Sequence, residues 1–222
     1  MKKILLVSAL LAASAAASAA DLKPYVEGQI GYYDLDSVKT ETWTGSQDIN
    51  GSTLTSASAK IKYDNAWGGG LEVGLRDVGV ENLRLAASYQ RASFDMKKVT
   101  GSATVDGTNY TEDITSVIKN DLGLNLDNYV NLYMLNAYYD FKNSSAFTPF
   151  VGVGVGIADV KNAKDNEFAY SLSAGGKYYF DKNIYVGVKA TYTSVNGPTD
   201  KLDIEYKDID MYSGHALIGY EF

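Results

Sequence analysis

Leu71, Val73 and Leu75 lie on one side of an extended stretch, and Gly70, Glu72, Gly74 and Arg76 on the other. The same period of two sets Leu83, Leu85, Ala87 and Tyr89 against Arg84, Ala86, Ser88 and Gln90. It returns as Val151, Val153, Val155 and Ile157 against Gly152, Gly154 and Gly156, and as Val186, Val188 and Ala190 against Gly187, Lys189 and Thr191. Side chains alternate across a strand, so this pattern predicts strands with one apolar face. Eight such segments fall at 25–33, 68–76, 83–91, 130–141, 148–158, 168–180, 184–193 and 211–222. Their lengths are close to the ~9–11 residues a tilted strand needs to cross a bilayer.

The last segment sets Tyr212, Gly214, Ala216, Ile218, Tyr220 and Phe222 against Ser213, His215, Leu217, Gly219 and Glu221. In a soluble domain that edge would expose unpaired backbone beside an apolar row. In a closed barrel it pairs with the first segment, and its aromatic end sits at the membrane interface. Tyr220 and Phe222 are therefore the candidate signal for the barrel-assembly machinery. The links at 77–82, 142–147 and 181–183 are short, whereas 34–60, 95–129, 159–167 and 194–210 are mostly long and polar. Short periplasmic turns opposite long outer loops are the expected asymmetry of outer membrane barrels and place both termini in the periplasm. Asp106-Gly107 and Asn50-Gly51 are two-residue hairpin signals, so two long loops should continue as strands above the membrane.

A soluble eight-stranded barrel of the lipocalin type is the rival arrangement, with the apolar row inside. Its outer row would be rich in Lys and Glu, yet the polar rows here are heavy in Gly, Ser and Ala, which suits a narrow interior. Aromatics also gather near segment ends, at Tyr32, Trp67, Tyr129, Tyr139, Phe141, Tyr178, Phe180, Tyr192, Tyr212, Tyr220 and Phe222, as two interfacial girdles require. The expected fold is thus all-β: a single eight-stranded antiparallel transmembrane β-barrel at 21–222, monomeric, with long extracellular loops. Its stability is expected from closure of the backbone hydrogen bonds and a polar lumen network rather than from a conventional apolar core.

Composition narrows the setting. Residues 1–20 read as a cleavable export signal: Lys2 and Lys3, an apolar run, then the small residues Ala17, Ser18, Ala19 and Ala20. The apolar run is shorter than the ~20 residues of a spanning helix. Loss of Lys2 and Lys3 takes the formal charge from −7 to −9, which disfavours nucleic acid and anionic lipid surfaces as partners. The chain has no cysteine, hence no disulfide framework and no Cys-ligated metal. The expected location is the outer membrane of a Gram-negative cell, in contact with its lipid and lipopolysaccharide.

Three strings carry a family resemblance: MLNAYYDF at 134–141, TPFVGVGVG at 148–156 and FAYSLSAGGKYYF at 168–180. They resemble the opacity-protein and surface-antigen families of small outer membrane proteins, which belong with the OmpA and OmpX membrane domains. The similarity is best over 130–195, weaker over 68–92 and absent from the loops. It implies eight-stranded architecture, and roles that range over porin, adhesin, surface antigen and envelope-stabilising protein. Unlike full-length OmpA, the chain ends at the barrel, which speaks against direct anchoring to the cell wall.

If the polar rows face the lumen, the interior collects Glu27, Glu72, Arg76, Arg84, Asp140, Lys177, Lys189 and His215. These could line a gated passage. An eight-stranded barrel is only wide enough for side chains to fill it, so a structural network in which cations neutralise carboxylates is the expected arrangement. Catalysis would need His215, the only histidine, beside a hydroxyl such as Ser171, Ser173 or Ser213 and an acid such as Glu72 or Glu221, but no motif joins them. The glycines at 152, 154 and 156 have the wrong spacing for a dinucleotide loop and fit close packing in the lumen. Asp200, Asp203, Glu205, Asp208 and Asp210 could hold divalent cations that bridge lipopolysaccharide, yet they match no EF-hand spacing and read as a solvated loop. The sequence therefore predicts no cofactor, no metal and no catalytic residue. It predicts a non-enzymatic surface protein acting through loops 34–60 and 95–129, with host or extracellular ligands as their partners, a narrow porin for small solutes as the alternative and an outer membrane lipid-modifying enzyme behind that.

Overall fold

The computed structural model describes residues 23–35, 37–121, 126–201 and 203–222. The export signal expected at 1–20 lies outside the described residues. In chain order the strands are β1 (Lys23–Leu35), β2 (Val38–Lys39), β3 (Trp43–Ile49), β4 (Ser52–Tyr63), β5 (Ala66–Arg76), β6 (Leu83–Phe94) and β7 (Met96–Val105). They continue with β8 (Thr108–Asp113), β9 (Asn128–Asp140), β10 (Phe147–Val160), β11 (Glu167–Tyr179), β12 (Ile184–Val195) and β13 (Ile209–Glu221).

Eight of them close a barrel in the order β1-β13-β12-β11-β10-β9-β6-β5 and back to β1. Every neighbouring pair is antiparallel, and β13 pairs β1 from Tyr25 opposite Glu221 to Leu35 opposite Met211. Closure satisfies the backbone without an edge, the condition for crossing a bilayer. Val26, Ile30, Leu71, Leu135, Val153, Leu172, Val188 and Ile218 are exposed on the outside, the face expected to meet lipid. Aromatics end this apolar band: Tyr32, Trp67, Tyr170 and Tyr212 are exposed at its outer end, and Tyr139, Phe147, Tyr178, Phe180, Tyr220 and Phe222 at its inner end.

The loops that follow β1 and β6 build a second, five-stranded sheet. It runs β2-β4-β7-β8, with β3 also on β4. Both hairpin tips use left-handed backbone, at Asn50 (φ 55°) and Gly51 and at Asp106 (φ 48°) and Gly107, as two-residue turns require. Strands β4 and β7 run on from β5 and β6, so this sheet extends one wall of the barrel outward.

One expectation is corrected. A conventional apolar core does exist, and it fills the outer half of the interior. Tyr33, Leu35, Val38, Ile61, Tyr63, Phe94, Met96, Val99, Val130, Leu132, Met134, Val160, Val195, Ile209 and Met211 are buried in one cluster. Most of them stand beyond the segment ends that alternation alone marks out. There the strands rise past the bilayer: the outside is wet, the inside is dry, and apolar side chains point inward as in any water-soluble barrel. On the outer wall the same strand ends turn polar, with Asp34 and Arg91 exposed and Asn131, Asp159 and Asp210 in the same outward-facing rows.

Candidate functional site: the filled lumen

The inward rows of the periplasmic half place most of the chain's buried charge in one connected group. Strand register creates the problem that this group solves. Glu27 on β1 stands opposite Glu72 on β5, and Arg76 on β5 stands opposite Arg84 on β6. Like charges in register destabilise a sheet unless something sits between them.

Lys189 on β12 reaches across the lumen, 3.9 Å from Glu27 and 4.0 Å from Glu72. Arg84 is separated from Arg76 by its own acids: it chelates Asp140 through Nε at 2.9 and 3.0 Å and lies 4.0 Å from Glu72. Arg76 turns instead to Glu221 at 2.5 Å. Lys177 bridges the two groups, 3.1 Å from Asp140 and 3.4 Å from Glu221. Taking ions out of water is expensive, and only dense pairing of this kind compensates.

Tyrosines complete the pairing. The hydroxyls of Tyr25 and Tyr138 donate to Glu72 at 2.6 and 2.7 Å, that of Tyr185 to Glu27 at 2.8 Å and that of Tyr179 to Glu221 at 2.7 Å. Asn136 donates to Glu72 at 3.2 Å. The Arg84 guanidinium lies 4.4 Å from the Tyr138 ring centroid, 5.1 Å from that of Phe150 and 5.3 Å from that of Tyr25, which gives it cation–π partners on several sides. The lumen glycines make room for these rings: a Cβ at Gly152 would overlap Tyr138, and one at Gly219 would overlap Tyr185.

Seven of the eight residues expected in the lumen network are thus ion-paired there. His215 stands apart. Its Nε2 shares a 2.8 Å hydrogen bond with Ser213 Oγ, its Nδ1 has no hydrogen-bond partner among the described residues, and its ring packs edge-on against Tyr33 at 5.2 Å. The Ser–His pair therefore has no acid behind it, since Glu72 and Glu221 are occupied elsewhere. Above the network lies a polar band of Gln29, Ser171, Thr191, Thr193 and His215, in which both amide atoms of Gln29 are buried without hydrogen-bond partners among the described residues.

Glu221, Asn136 and the four tyrosines join the network beside the seven charged residues expected there. The signal for the tyrosines was available: Tyr25, Tyr138, Tyr179 and Tyr185 share inward parity with Glu27, Asp140, Lys177 and Lys189. The acidic residues near 200–210 spend their oxygens locally. Asp200 accepts from the Ile204 amide and the Tyr206 hydroxyl, Asp208 from the Gly197 amide and Asp210 from the Tyr192 hydroxyl, while Asp203 pairs with Lys164. Among the described residues no group of three or more His, Asp or Glu side chains is placed to hold a metal ion. At the inner rim Tyr220 and Phe222 pack edge-to-face at 4.9 Å, and the Phe222 amide donates to the Pro24 carbonyl at 2.9 Å.

A closed eight-stranded barrel with an apolar outer band, aromatic girdles and a polar inner half is a transmembrane barrel of the outer membrane type. The chain belongs to the outer membrane protein beta-barrel domain family, whose model matches residues 4–222. It is 37% identical over 91 residues to the outer membrane protein PagN of Salmonella typhimurium (strain LT2), an alignment covering 33% of this chain and 37% of that protein. The chain thus matches little more than a third of that relative's length. Its fold is similar to that of Neisserial surface protein A, with a TM-score of 0.52 over 91% of this chain and 98% of the other at 11% identity.

Proposed function

We propose that this outer membrane protein is a non-enzymatic surface protein: a plugged barrel that holds an extracellular sheet rigid for contact with another surface, in an adhesive, antigenic or envelope-stabilising role. The observation that carries this reading is the filling of the lumen. Paired ions and tyrosines occupy the periplasmic half and the apolar cluster occupies the outer half. A barrel filled in this way is a scaffold, and loops on a rigid scaffold are where recognition resides. The sheet above it presents fully exposed strands, β3 and β8, with Trp43, Ile49 and Tyr110 open to solvent.

In planar bilayers the purified protein is expected to show rare or no channel openings. Frequent, stable openings would replace this reading with the narrow porin, which the unpartnered polar atoms of Gln29 and His215 favour. Shortening the β3–β4 and β7–β8 hairpins is expected to abolish surface contact while leaving the barrel folded. We further propose that Tyr220 and Phe222 are read by the assembly machinery, so that deleting Phe222 impairs membrane insertion; normal insertion without it would remove that role.

A further inference from the structure

The outer wall changes character above Trp67. Below it, β5 presents Leu71, Val73 and Leu75 outward. Above it, the same wall continues through β4 and β7 with lysines. Lys39 on β2 stands opposite Lys60 on β4, and two residues along β4, Lys62 stands opposite Lys98 on β7. Residues opposite each other, and residues two apart on one strand, share a face, so all four ammonium groups project from one side of the sheet. The other side carries Val38, Ile61, Tyr63 and Val99, which are buried in the core.

Like charges directly opposite destabilise a sheet, and this chain has a formal charge of −7, so its composition does not explain the cluster. Asp34 lines a cavity with Lys62, and Glu41, Glu205, Asp208 and Asp210 line another with Lys39, but the ion pairs formed nearby neutralise only part of the cluster. Asp64 pairs with Lys97 at 2.8 Å and Asp113 with Lys98 at 3.2 Å, while Glu41 lies 4.0 Å from Lys207. Lys39, Lys60 and Lys62 make no ion pair among the described residues.

The height of the cluster identifies the anion. Trp67, packed against Tyr32 at 5.5 Å, belongs to the outer aromatic girdle that marks the end of the hydrocarbon. Lys62 precedes it by five residues, of which Asp64 and Asn65 lie between β4 and β5, so it stands at most roughly 16 Å along the chain and about 11 Å in height at a tilt of ~45°. A lysine stem can snorkel back toward the membrane from there. The Lys62 ammonium therefore reaches the headgroups of the outer leaflet, and Lys60 and Lys39, about 16 Å above Trp67 by the same measure, stand directly over them, below the tip of the extracellular sheet.

We propose that Lys39, Lys60 and Lys62, with Lys98 at the rim, form a binding site for the phosphorylated headgroup of an outer-leaflet glycolipid. The phosphates relieve the like-charge register pairs, and the acyl chains run down the apolar wall below Trp67. A bound lipid at this place would tie the extracellular sheet to the leaflet from which it rises. The site stands independently of whether the lumen conducts.

The test uses the full chain in phosphatidylcholine vesicles doped with bisphosphorylated lipid A, in the presence of a chelator. Lipid retained after gentle detergent extraction is measured by mass spectrometry. The wild type is expected to retain bisphosphorylated lipid A several-fold over its dephosphorylated form. K39Q/K60Q/K62Q is expected to lose that excess, and K39R/K60R/K62R to keep it. Heat-modifiable gel mobility reports folding of each variant, and single K60Q and K62Q variants carry the test if the triple variant does not fold. Equal retention by the triple Gln variant, or equal retention of the dephosphorylated lipid, overturns the proposal. Lysine-dependent binding of soluble dextran sulfate without lysine-dependent lipid retention also overturns it, because the partner would then be a soluble polyanion.

Discussion

The two halves of the lumen are filled by opposite means. In the periplasmic half the wall faces lipid, and the interior is packed with ions: Arg84 and Lys177 share Asp140, Lys189 lies between Glu27 and Glu72, and Arg76 holds Glu221. In the outer half the wall turns polar, and Phe94, Leu132, Met134, Val160 and Met211 fill the interior. The strands are continuous through both. What changes is the medium outside, and the side-chain rule inverts with it. A barrel row thus has no fixed polarity of its own: it takes whichever character the outside leaves to the inside.

The difference can be broken most severely at Arg84. Replacing it with Met leaves Asp140 and Glu72 short of their cation inside a dry wall, and losing one member of such a group costs about 3–5 kcal/mol. Urea unfolding in micelles should show this as a large drop in midpoint, and a drop no greater than that of a surface control would mean that the network does not stabilise the barrel. Leu132→Ala in the outer half should cost somewhat less, about 3 kcal/mol, from lost transfer energy and the cavity left behind. The two halves should differ more clearly in paired changes. Glu27→Gln and Lys189→Met should each destabilise the barrel alone. Together they remove the Glu27–Lys189 pair and leave Glu72 with Arg84, and the double variant should fall short of the summed losses by about 0.5–3 kcal/mol. Strict additivity would show that the pair is not energetically coupled.

The same inversion governs how much was legible in the sequence. Alternation located all eight barrel strands, because between the girdles lipid outside and a narrow polar inside impose period two on every strand. It stopped short at Tyr33, Arg91 and Thr193, because just beyond them the lumen row becomes apolar: Leu35 follows Tyr33, Phe94 follows Ala92, and Val195 follows Thr193. A segment whose inner and outer characters exchange midway loses its signature at the exchange. Ile61 and Tyr63 fall between loop 34–60 and the segment at 68–76, and Met96 and Val99 at the base of loop 95–129; strands were expected above the membrane, but the lysines and acids around these residues mask an inward apolar row. The charged lumen residues were visible because ions are conspicuous in rows of glycine and serine. Their tyrosine partners were not, because Tyr25 or Tyr185 on its own reads as a girdle residue, and only parity with Glu27 and Lys189 assigns it inward. His215 looked like a network member by parity, but its neighbours are Ser213 and Tyr33 rather than a carboxylate.

The smallest expected effect comes from the periplasmic rim, where ion pairing is wet and the logic of the dry lumen weakens. Asp77 closes the β5–β6 turn in left-handed backbone (φ 55°), accepts from the Asn82 amide at 2.9 Å, and pairs with Lys23 at 3.1 Å and Lys142 at 3.3 Å. Partial burial acts to raise its carboxyl, but the amide and the two lysines overcome that and hold it at about 2. A carboxyl lowered on folding stabilises the fold fully above its unfolded value near ~3.9, and this contribution is lost as pH falls through about 2. Asp77→Asn keeps a side chain that tolerates φ > 0 and removes only the charge. The variant should be less stable than the wild type at neutral pH by about 0.5–1 kcal/mol, the scale of a solvated ion pair. The gap should stay constant down to about pH 4 and close between there and about pH 2. Unfolding midpoints for both proteins across that range decide it, and a gap of several kcal/mol would show that the rim shares the energetics of the buried network. A gap that persists unchanged at the acid end would assign the loss to turn geometry instead of charge.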